Sequence, residues 1–165
     1  MNWPTPEPVA PGQESVWDYP RPPRLEREAR RIRIVHRGAA LVDTRAAWRT
    51  LETSHPPTYY LPLTDVDAAC LAPANGQSWC EWKGRARYWD VLIGGDRLSR
   101  VGWSYPEPTA GFAPIADCIA FYCAPFDEAW VGDERARPQP GGFYGGWITS
   151  WLAGPFKGGP GSQYW

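Results

Sequence analysis

Proline and glycine interrupt this chain too often for long helices to form. There are 19 prolines and 17 glycines among 165 residues, about a fifth of the chain. Proline removes a backbone donor and clashes with the preceding helical turn, and ordering a glycine costs more backbone entropy than ordering any other residue. This composition favours short strands that are joined by tight turns.

Several segments alternate between apolar and polar residues with the period of two that is typical of a strand. The clearest are residues 32–34, 79–89 and 101–105, and a Gly-Gly-Asp sequence at 94–96 predicts a hairpin turn between the last two. Residues 46–53 lack a helix cap and contain tryptophan and threonine, which favours a strand there as well. We therefore predict a mainly β protein of antiparallel sheets, with one or two short helical turns.

The segment 79–89 is predicted to be a half-buried strand with two chemically distinct faces. If it is regular, its apolar face carries Cys80, Trp82, Gly84, Ala86 and Tyr88, and its charged face carries Glu81, Lys83, Arg85 and Arg87. This alternation directs Lys83 away from Trp82. A bulge or bend at Gly84 would re-aim both side chains.

The length fits one domain with two appended segments. Residues 1–15 are proline-rich and polar and are predicted to be a flexible N-terminus. Residues 16–137 are predicted to form the β domain. Residues 138–165 contain many glycines and seven aromatic residues. Because buried rings must offset the entropy of ordering those glycines, we predict that this segment is an arm packed on the domain.

Net charge and hydropathy exclude several classes of protein. The net charge is −1, whereas a dedicated nucleic-acid-binding domain is usually basic. No apolar run approaches 18 residues, so no membrane span is expected. The first residues have neither a basic region nor an apolar core typical of a signal peptide, and a cytoplasmic protein is expected.

The cysteines do not have the spacing of a metal site. Cys70, Cys80, Cys118 and Cys123 form no Cys-x-x-Cys pair, and no histidine lies within four residues of any of them. Structural zinc sites usually show such pairs. We predict four free thiols, no metal ligands and no cofactor.

Lysine is rare in this chain. Fifteen of the seventeen basic residues are arginine, and Lys83 and Lys157 are the two exceptions. Both stand in an aromatic-Lys-Gly tripeptide. A lysine that persists in an arginine-rich chain indicates a position where a compact ammonium fits better than a planar guanidinium. Lys83 is therefore either a point charge for a carboxylate or phosphate group, or a surface residue paired with an acidic neighbour.

Four stretches, in order along the chain, resemble the domain of unknown function 427 family. They are ETSHPPTYY at 52–60, CEWKGRARY at 80–88, WSYPEP at 103–108 and IAFY at 119–122. The resemblance covers roughly residues 14–135, and the tail resembles an extension found in one branch. It implies a β-tent, or Mss4-like, fold of two antiparallel sheets that enclose a pocket. Many relatives hold zinc with Cys-x-x-Cys pairs. Those pairs are absent here, so the zinc does not carry over.

Aromatic residues within or next to these stretches form the candidate ligand-binding site. A cavity walled by such rings suits a flat or cationic ligand, and Lys83 is added as the group that orients it. The alternative is that the rings simply fill the core of a small sandwich. The aromatic candidates are Tyr60, Trp82, Tyr88, Trp103 and Tyr105.

Three functional hypotheses follow. The first is a small-molecule binding domain with this aromatic pocket, whether or not it also catalyses a reaction. The second is a thiol-dependent enzyme with Cys80 as nucleophile and His55 as base. Glu107, fixed between two prolines, is a further acid–base candidate. The third is an interaction module that uses the aromatic tail, as a monomer or homodimer. The sequence defines neither the ligand nor the reaction class.

Overall fold

The computed structural model describes residues 3–165, which form fifteen strands and four short 3-10 turns. The strands are β1 (Glu14–Ser15), β2 (Arg24–Glu28), β3 (Ile32–His36), β4 (Ala39–Thr44), β5 (Ala47–Leu51), β6 (Thr58–Pro62), β7 (Leu71–Cys80), β8 (Gly84–Ile93), β9 (Asp96–Ser104), β10 (Cys118–Phe121), β11 (Glu128–Val131), β12 (Glu134–Arg135), β13 (Arg137–Pro138), β14 (Trp147–Ile148) and β15 (Leu152–Ala153). The turns are Val16–Asp18, Leu63–Asp65, Ala68–Cys70 and Ala110–Ile115. The predicted mainly β fold is confirmed, with four helical turns in these residues where one or two were expected. No helix in residues 3–165 is long and apolar enough to cross a membrane.

Two antiparallel sheets make up most of the molecule. The larger has seven strands in the order β2-β5-β6-β10-β9-β8-β7, and the smaller has four in the order β12-β11-β3-β4. Two further pairs complete the described topology: β13 with β14, antiparallel, and β1 with β15, parallel. This arrangement is consistent with the β-tent that the sequence resemblance implies.

The two faces of the seven-stranded sheet have different roles. On β6, Tyr59 and Leu61 contribute to the main core, which joins this sheet to the four-stranded sheet. Tyr60, between them, belongs to a second aromatic cluster with Trp103 and Tyr105. Because side chains alternate along a strand, this second cluster marks the opposite face of the sheet. That face carries the candidate site.

The predicted continuous strand over residues 79–89 is wrong. β7 ends at Cys80, residues 81–83 form a tight turn, and β8 begins at Gly84, which pairs with Cys80. Gly84 has a φ of 105°, a conformation that glycine adopts without strain at the end of a three-residue hairpin loop. The apolar–polar alternation has the same period of two in both strands of a hairpin. It therefore continues across the turn at residues 81–83, and the sequence pattern does not reveal the turn.

The arginine-rich segment between residues 21 and 37 is locally neutralised. Five of its seven arginines lie within salt-bridge distance of a carboxylate, and the other two lie over a tryptophan ring. The pairs are Arg21–Glu52, Arg24–Glu26, Arg30–Glu28, Arg31–Asp43 and Arg37–Asp96, with Arg27 over Trp48 and Arg33 over Trp130. These contacts make the segment a solvated face with local ion pairs and cation–π contacts.

The C-terminal segment lies across the domain and contributes to its core. The Trp147 side chain is 1% exposed, and its indole N–H donates to the Phe121 carbonyl at 2.9 Å. The N-terminal segment runs beside it: the Glu7 amide donates to the Gly154 carbonyl at 2.8 Å. Residues 1–2 of the predicted flexible N-terminus lie outside the described part, and flexibility of the rest stays a prediction.

Candidate functional site

A cavity of about 350 Å³ opens on the second face of the seven-stranded sheet. Its floor comes from β6, β8 and β9, and one wall comes from the loop before β6. Residues of the C-terminal segment, among them Tyr144 and Lys157, close it on the other side. The cavity therefore lies between the sheet and the arm, and both are needed to form it.

Eight tyrosine, tryptophan and phenylalanine side chains contribute to the wall. Tyr88 and Trp103 are direct cross-strand partners on β8 and β9, and the Trp103 and Tyr122 rings lie 4.8 Å apart. A Cβ at Gly145 would come within 2.1 Å of the Trp103 ring. Only glycine permits the arm to approach the ring this closely, so Gly145 fixes the arm against the wall.

Lys83 lines the cavity and has no carboxylate within salt-bridge distance in residues 3–165. It lies in the turn between β7 and β8, so strand alternation does not direct it away from the site. The Thr109 amide donates to the Lys83 carbonyl at 3.2 Å and fixes the turn. Lys83 is half-buried, and its ammonium lies 5.8 Å from the centre of the Phe112 ring, not beside an acidic neighbour of the described residues.

Lys157 reaches the same cavity from the end of the chain. Its ammonium lies 5.5 Å from the centre of the Tyr144 ring and donates to the backbone oxygen of Trp165 at 3.1 Å. No aspartate or glutamate side chain of the described residues pairs with it. The only two lysines of the sequence therefore line one cavity, and they are the lysine or arginine side chains of residues 3–165 that do so.

A buried glutamine joins three segments beside the cavity. The Gln139 side-chain oxygen accepts from the Gly146 amide at 3.0 Å, which fixes the orientation of its amide group. Its nitrogen then faces the Lys157 carbonyl at 2.9 Å and the His55 Nδ1 at 3.0 Å. Gln139 thus connects the loop before β6 with two parts of the arm.

His55 is held neutral with a defined tautomer. Because Nδ1 accepts from Gln139, the ring proton lies on Nε2, which is 3.6 Å from the Glu52 carboxylate. Burial lowers the pKa of His55 to about 3, and the charges of Lys157, Arg21 and Lys83 add to the effect. The imidazole is therefore a hydrogen-bond donor to the cavity and a weak base.

The neutral His55 predicts a loss of stability at mildly acidic pH. The unfolded imidazole, with its ordinary pKa near 6.5, binds a proton below that pH, whereas the folded one stays neutral down to about pH 3. The contribution of this group is therefore complete above pH 6.5 and declines as the pH falls through the window from 6.5 to 3. Linkage gives a loss of about 2 kcal/mol between pH 7.5 and pH 5. Urea unfolding at the two pH values measures it.

His55→Asn is the matched control for this measurement because asparagine does not titrate. The loss between pH 7.5 and pH 5 should be smaller in the variant than in the wild type by the amount that His55 contributes. Equal losses in both proteins would contradict the assigned neutral state.

Two tyrosine hydroxyls are also available as donors. Tyr60 is 1% and Tyr105 8% exposed, both line the cavity, and neither hydroxyl has a hydrogen-bond acceptor in the described part of the chain. Burial raises the pKa of both phenols, so they stay protonated. Neither hydroxyl is a fully buried unpaired group, so both are available to donate to a bound group in the cavity.

Most of the predicted site residues line the cavity, but Trp82 and Glu107 do not. Tyr60, Tyr88, Trp103, Tyr105 and Lys83 line the cavity, together with His55 and Cys80. Trp82 does not line it. This residue lies in the hairpin turn and packs against the edge of the aromatic cluster. Glu107 is exposed and lies outside the cavity. The assignment of a ligand to these residues stays a prediction.

The Cys80–His55 pair has little of the chemistry that a thiol enzyme needs. Both residues line the cavity, but no hydrogen bond joins them among residues 3–165. His55 accepts from Gln139, and its low pKa makes it a poor base for a thiol. All four cysteines are free, and no three metal-binding side chains of the described residues come together.

The cavity residues that sequence reasoning missed include Tyr122, Gln139, Tyr144 and Gly145. Tyr144 and Gly145 lie in the arm that was predicted to pack on the domain, but no local pattern shows where the arm lies. Gln139 has no sequence signal at all. Only the scarcity of lysine in the sequence drew attention to Lys157. For both lysines this scarcity indicated the cavity better than strand alternation did.

Comparison with known proteins supports the sequence resemblance. A family model described as a domain of unknown function (DUF427) matches residues 24–132, about two thirds of the chain. A search of curated proteins found no match. The matched segment begins with β2 and ends just after β11, so it includes the aromatic floor of the cavity. Gln139, Tyr144 and Lys157 lie beyond it.

Proposed function

The chain belongs to the DUF427 family of domains of unknown function, and on that premise we propose that it is a small-molecule binding domain whose ligand occupies the cavity between the sheet and the arm. The observation that carries the proposal is the facing of Tyr88 and Trp103 across β8 and β9 along a cavity of about 350 Å³. Sites for small molecules combine apolar or aromatic walls with placed polar groups, and this wall contains both in about equal measure.

The size of the cavity limits the ligand. Ligand sites commonly span about 300–1,000 Å³, and this cavity lies at the lower end of that range. It suits a compound of one or two rings that stacks on Trp103 or Tyr88. The neutral His55 and the two lysines supply the polar groups that orient it.

Binding of flat aromatic compounds tests the proposal. Members of a library of one- and two-ring compounds are expected to raise the melting temperature, because a ligand at 100 times its Kd adds about 2.7 kcal/mol to stability. Tyr88→Ala is expected to weaken binding of each hit about 10-fold through loss of the stacked ring. Calorimetric titration measures both affinities.

The matched control is Trp130→Ala, which removes a ring from β11 in the other sheet and should leave the affinities unchanged. If no compound binds, or if the hits are indifferent to both Tyr88→Ala and Trp103→Ala, the ligand site proposed here does not exist. Indifference to Lys83→Arg as well would place any binding elsewhere on the molecule.

Two other functions have less support. A thiol-dependent enzyme is favoured only by the position of Cys80 in the cavity, and the state of His55 opposes it. An interaction module is favoured by Trp79 and Phe143, which are 71% and 76% exposed and line the cavity mouth. Both rings equally suit the entrance of a small-molecule site, so we retain the binding domain.

A further inference from the structure

Two lysine side chains line the cavity without an acidic side chain as partner. Neither Lys83 nor Lys157 pairs with an aspartate or glutamate of residues 3–165, and Lys157 donates to the main-chain oxygen of Trp165. His55, Lys83 and Lys157 line the same cavity. Two ammonium groups that are not paired with acidic side chains favour the entry of an anion.

The one carboxylate that lines the cavity is already engaged. Glu52 lies 3.3 Å from the Arg21 guanidinium and 3.6 Å from the His55 Nε2. Arg21 is outside the cavity lining, so it neutralises Glu52 from behind. Among the acidic side chains of the described residues, none that lines the cavity therefore offsets the two lysines.

The uncharged polar groups point to the same conclusion. The hydroxyls of Tyr60 and Tyr105 have no acceptor in the described residues, and the proton of His55 lies on Nε2. The His55 proton is on the side of Glu52, whereas the two hydroxyls line the cavity alongside the ammonium groups. A site with several donors suits a ligand that carries acceptors.

We infer that the ligand is an organic anion, a compound of one or two flat rings that carries a carboxylate or phosphate group. The inference rests on the proposed function and names its ligand class. The anionic group lies between Lys83 and Lys157, and the ring stacks against Trp103 and Tyr88.

The use of lysine fits this geometry. Fifteen of seventeen basic residues in the chain are arginine, yet the two cations of the cavity lining are lysine. A planar guanidinium stacks on aromatic rings, as that of Arg100 does on Tyr88 at 4.3 Å, whereas an ammonium is a compact point charge. Lysine at positions 83 and 157 therefore covers less of the aromatic wall than arginine would.

Four probes of one shape and different charge test the inference: 2-naphthoate, 2-naphthyl phosphate, the neutral 2-naphthamide and the cationic 2-naphthylmethylammonium. Titration calorimetry of the full chain at pH 7.5 is expected to show that at least one anion binds about 10-fold or more tightly than the amide, and that the cation binds weakest. The two anions distinguish a carboxylate site from a phosphate site.

Lys83→Gln and Lys157→Gln are each expected to weaken binding of the preferred anion about 10-fold and to leave the affinity for the amide within about 2-fold. Two variants are used so that one measurement survives if the other protein does not fold. Arg85→Gln is the matched control: it removes an exposed positive charge from the start of β8, outside the cavity, and should change neither affinity.

The outcomes separate the two proposals. If the amide or the ammonium binds as tightly as both anions, the inference of an anionic ligand is overturned and the binding domain stands. If Lys83→Gln, Lys157→Gln and Arg85→Gln all change the affinity for the anion by the same factor, the anion is attracted by the overall charge of the protein and not by the two lysines. The inference is then overturned too. If no probe of any charge binds, both proposals are overturned.

Discussion

Replacement of Trp147 with alanine is expected to lower the free energy of unfolding by about 4 kcal/mol, the usual cost of truncating a buried tryptophan. The side chain is fully buried, and its ring lies 5.4 Å from the Tyr59 ring in the main core. The substitution leaves a large cavity and removes the donor to the Phe121 carbonyl. Urea unfolding of both proteins measures the difference.

Phe143→Ala is the control because it changes an aromatic residue four positions earlier in the same arm. The Phe143 side chain is largely exposed, so its loss should alter the free energy of unfolding by no more than about 0.5 kcal/mol. If Trp147→Ala is as mild as Phe143→Ala, the arm is not part of the core and the position of Trp147 is wrong.

The arm connects the fold to the site. The family match ends at residue 132, yet Trp147 completes the main core and Tyr144 and Lys157 complete the cavity. A domain that ended at the match would expose the aromatic floor of the cavity to solvent and keep only one of the two lysines. For this reason we expect both ligand binding and the stability of the fold to depend on the arm.

Strand positions were predictable where local alternation and turn chemistry agree. The strand at Ile32–His36 and the hairpin at Gly94-Gly95 were both expected and are both present. The prediction failed at residues 81–83, where the alternation of β7 runs into that of β8 through a turn. It missed most of β7, because Pro73 and Gly76 oppose a strand. The strand tolerates Pro73 and Gly76 because β7 lies at the edge of the sheet and its pairing with β8 is irregular between Pro73 and Gln77.

The site was predictable only as far as it lies on regular strands. Tyr88 and Trp103 were identified because each lies in an alternating segment, and the structure pairs them directly. Trp82 was wrongly assigned to the site because it was placed on a continuous strand, whereas it lies in the turn between β7 and β8. Gln139 and Tyr144 could not be found, because their contacts with His55 join positions more than eighty residues apart. No periodicity within a short window encodes such a contact.

Replacement of Gln139 with leucine is expected to lower the free energy of unfolding by about 3 kcal/mol. The side chain is 3% exposed, and leucine has a similar size, so the change is chiefly one of hydrogen bonding. It removes the acceptor of the Gly146 amide and the donor to the Lys157 carbonyl and to His55 Nδ1. Buried groups left without a partner cost about 1–3 kcal/mol each, and the remaining packing offsets part of the sum. Urea unfolding at pH 7.5 gives the value.

Gln13→Leu is the matched control, since Gln13 also bonds to the arm, by donating to the Ser150 carbonyl at 2.8 Å. That bond is exposed, and water replaces it, so the loss should stay below about 1 kcal/mol. Equal losses in the two variants would show that Gln139 has no special role.

Gln139→Glu gives an independent test of the assigned tautomer. A carboxylate accepts but does not donate, so His55 Nδ1 must take up a proton to keep the contact, and the pKa of His55 should rise. If NMR titration finds that pKa unchanged, Gln139 does not hold His55 neutral.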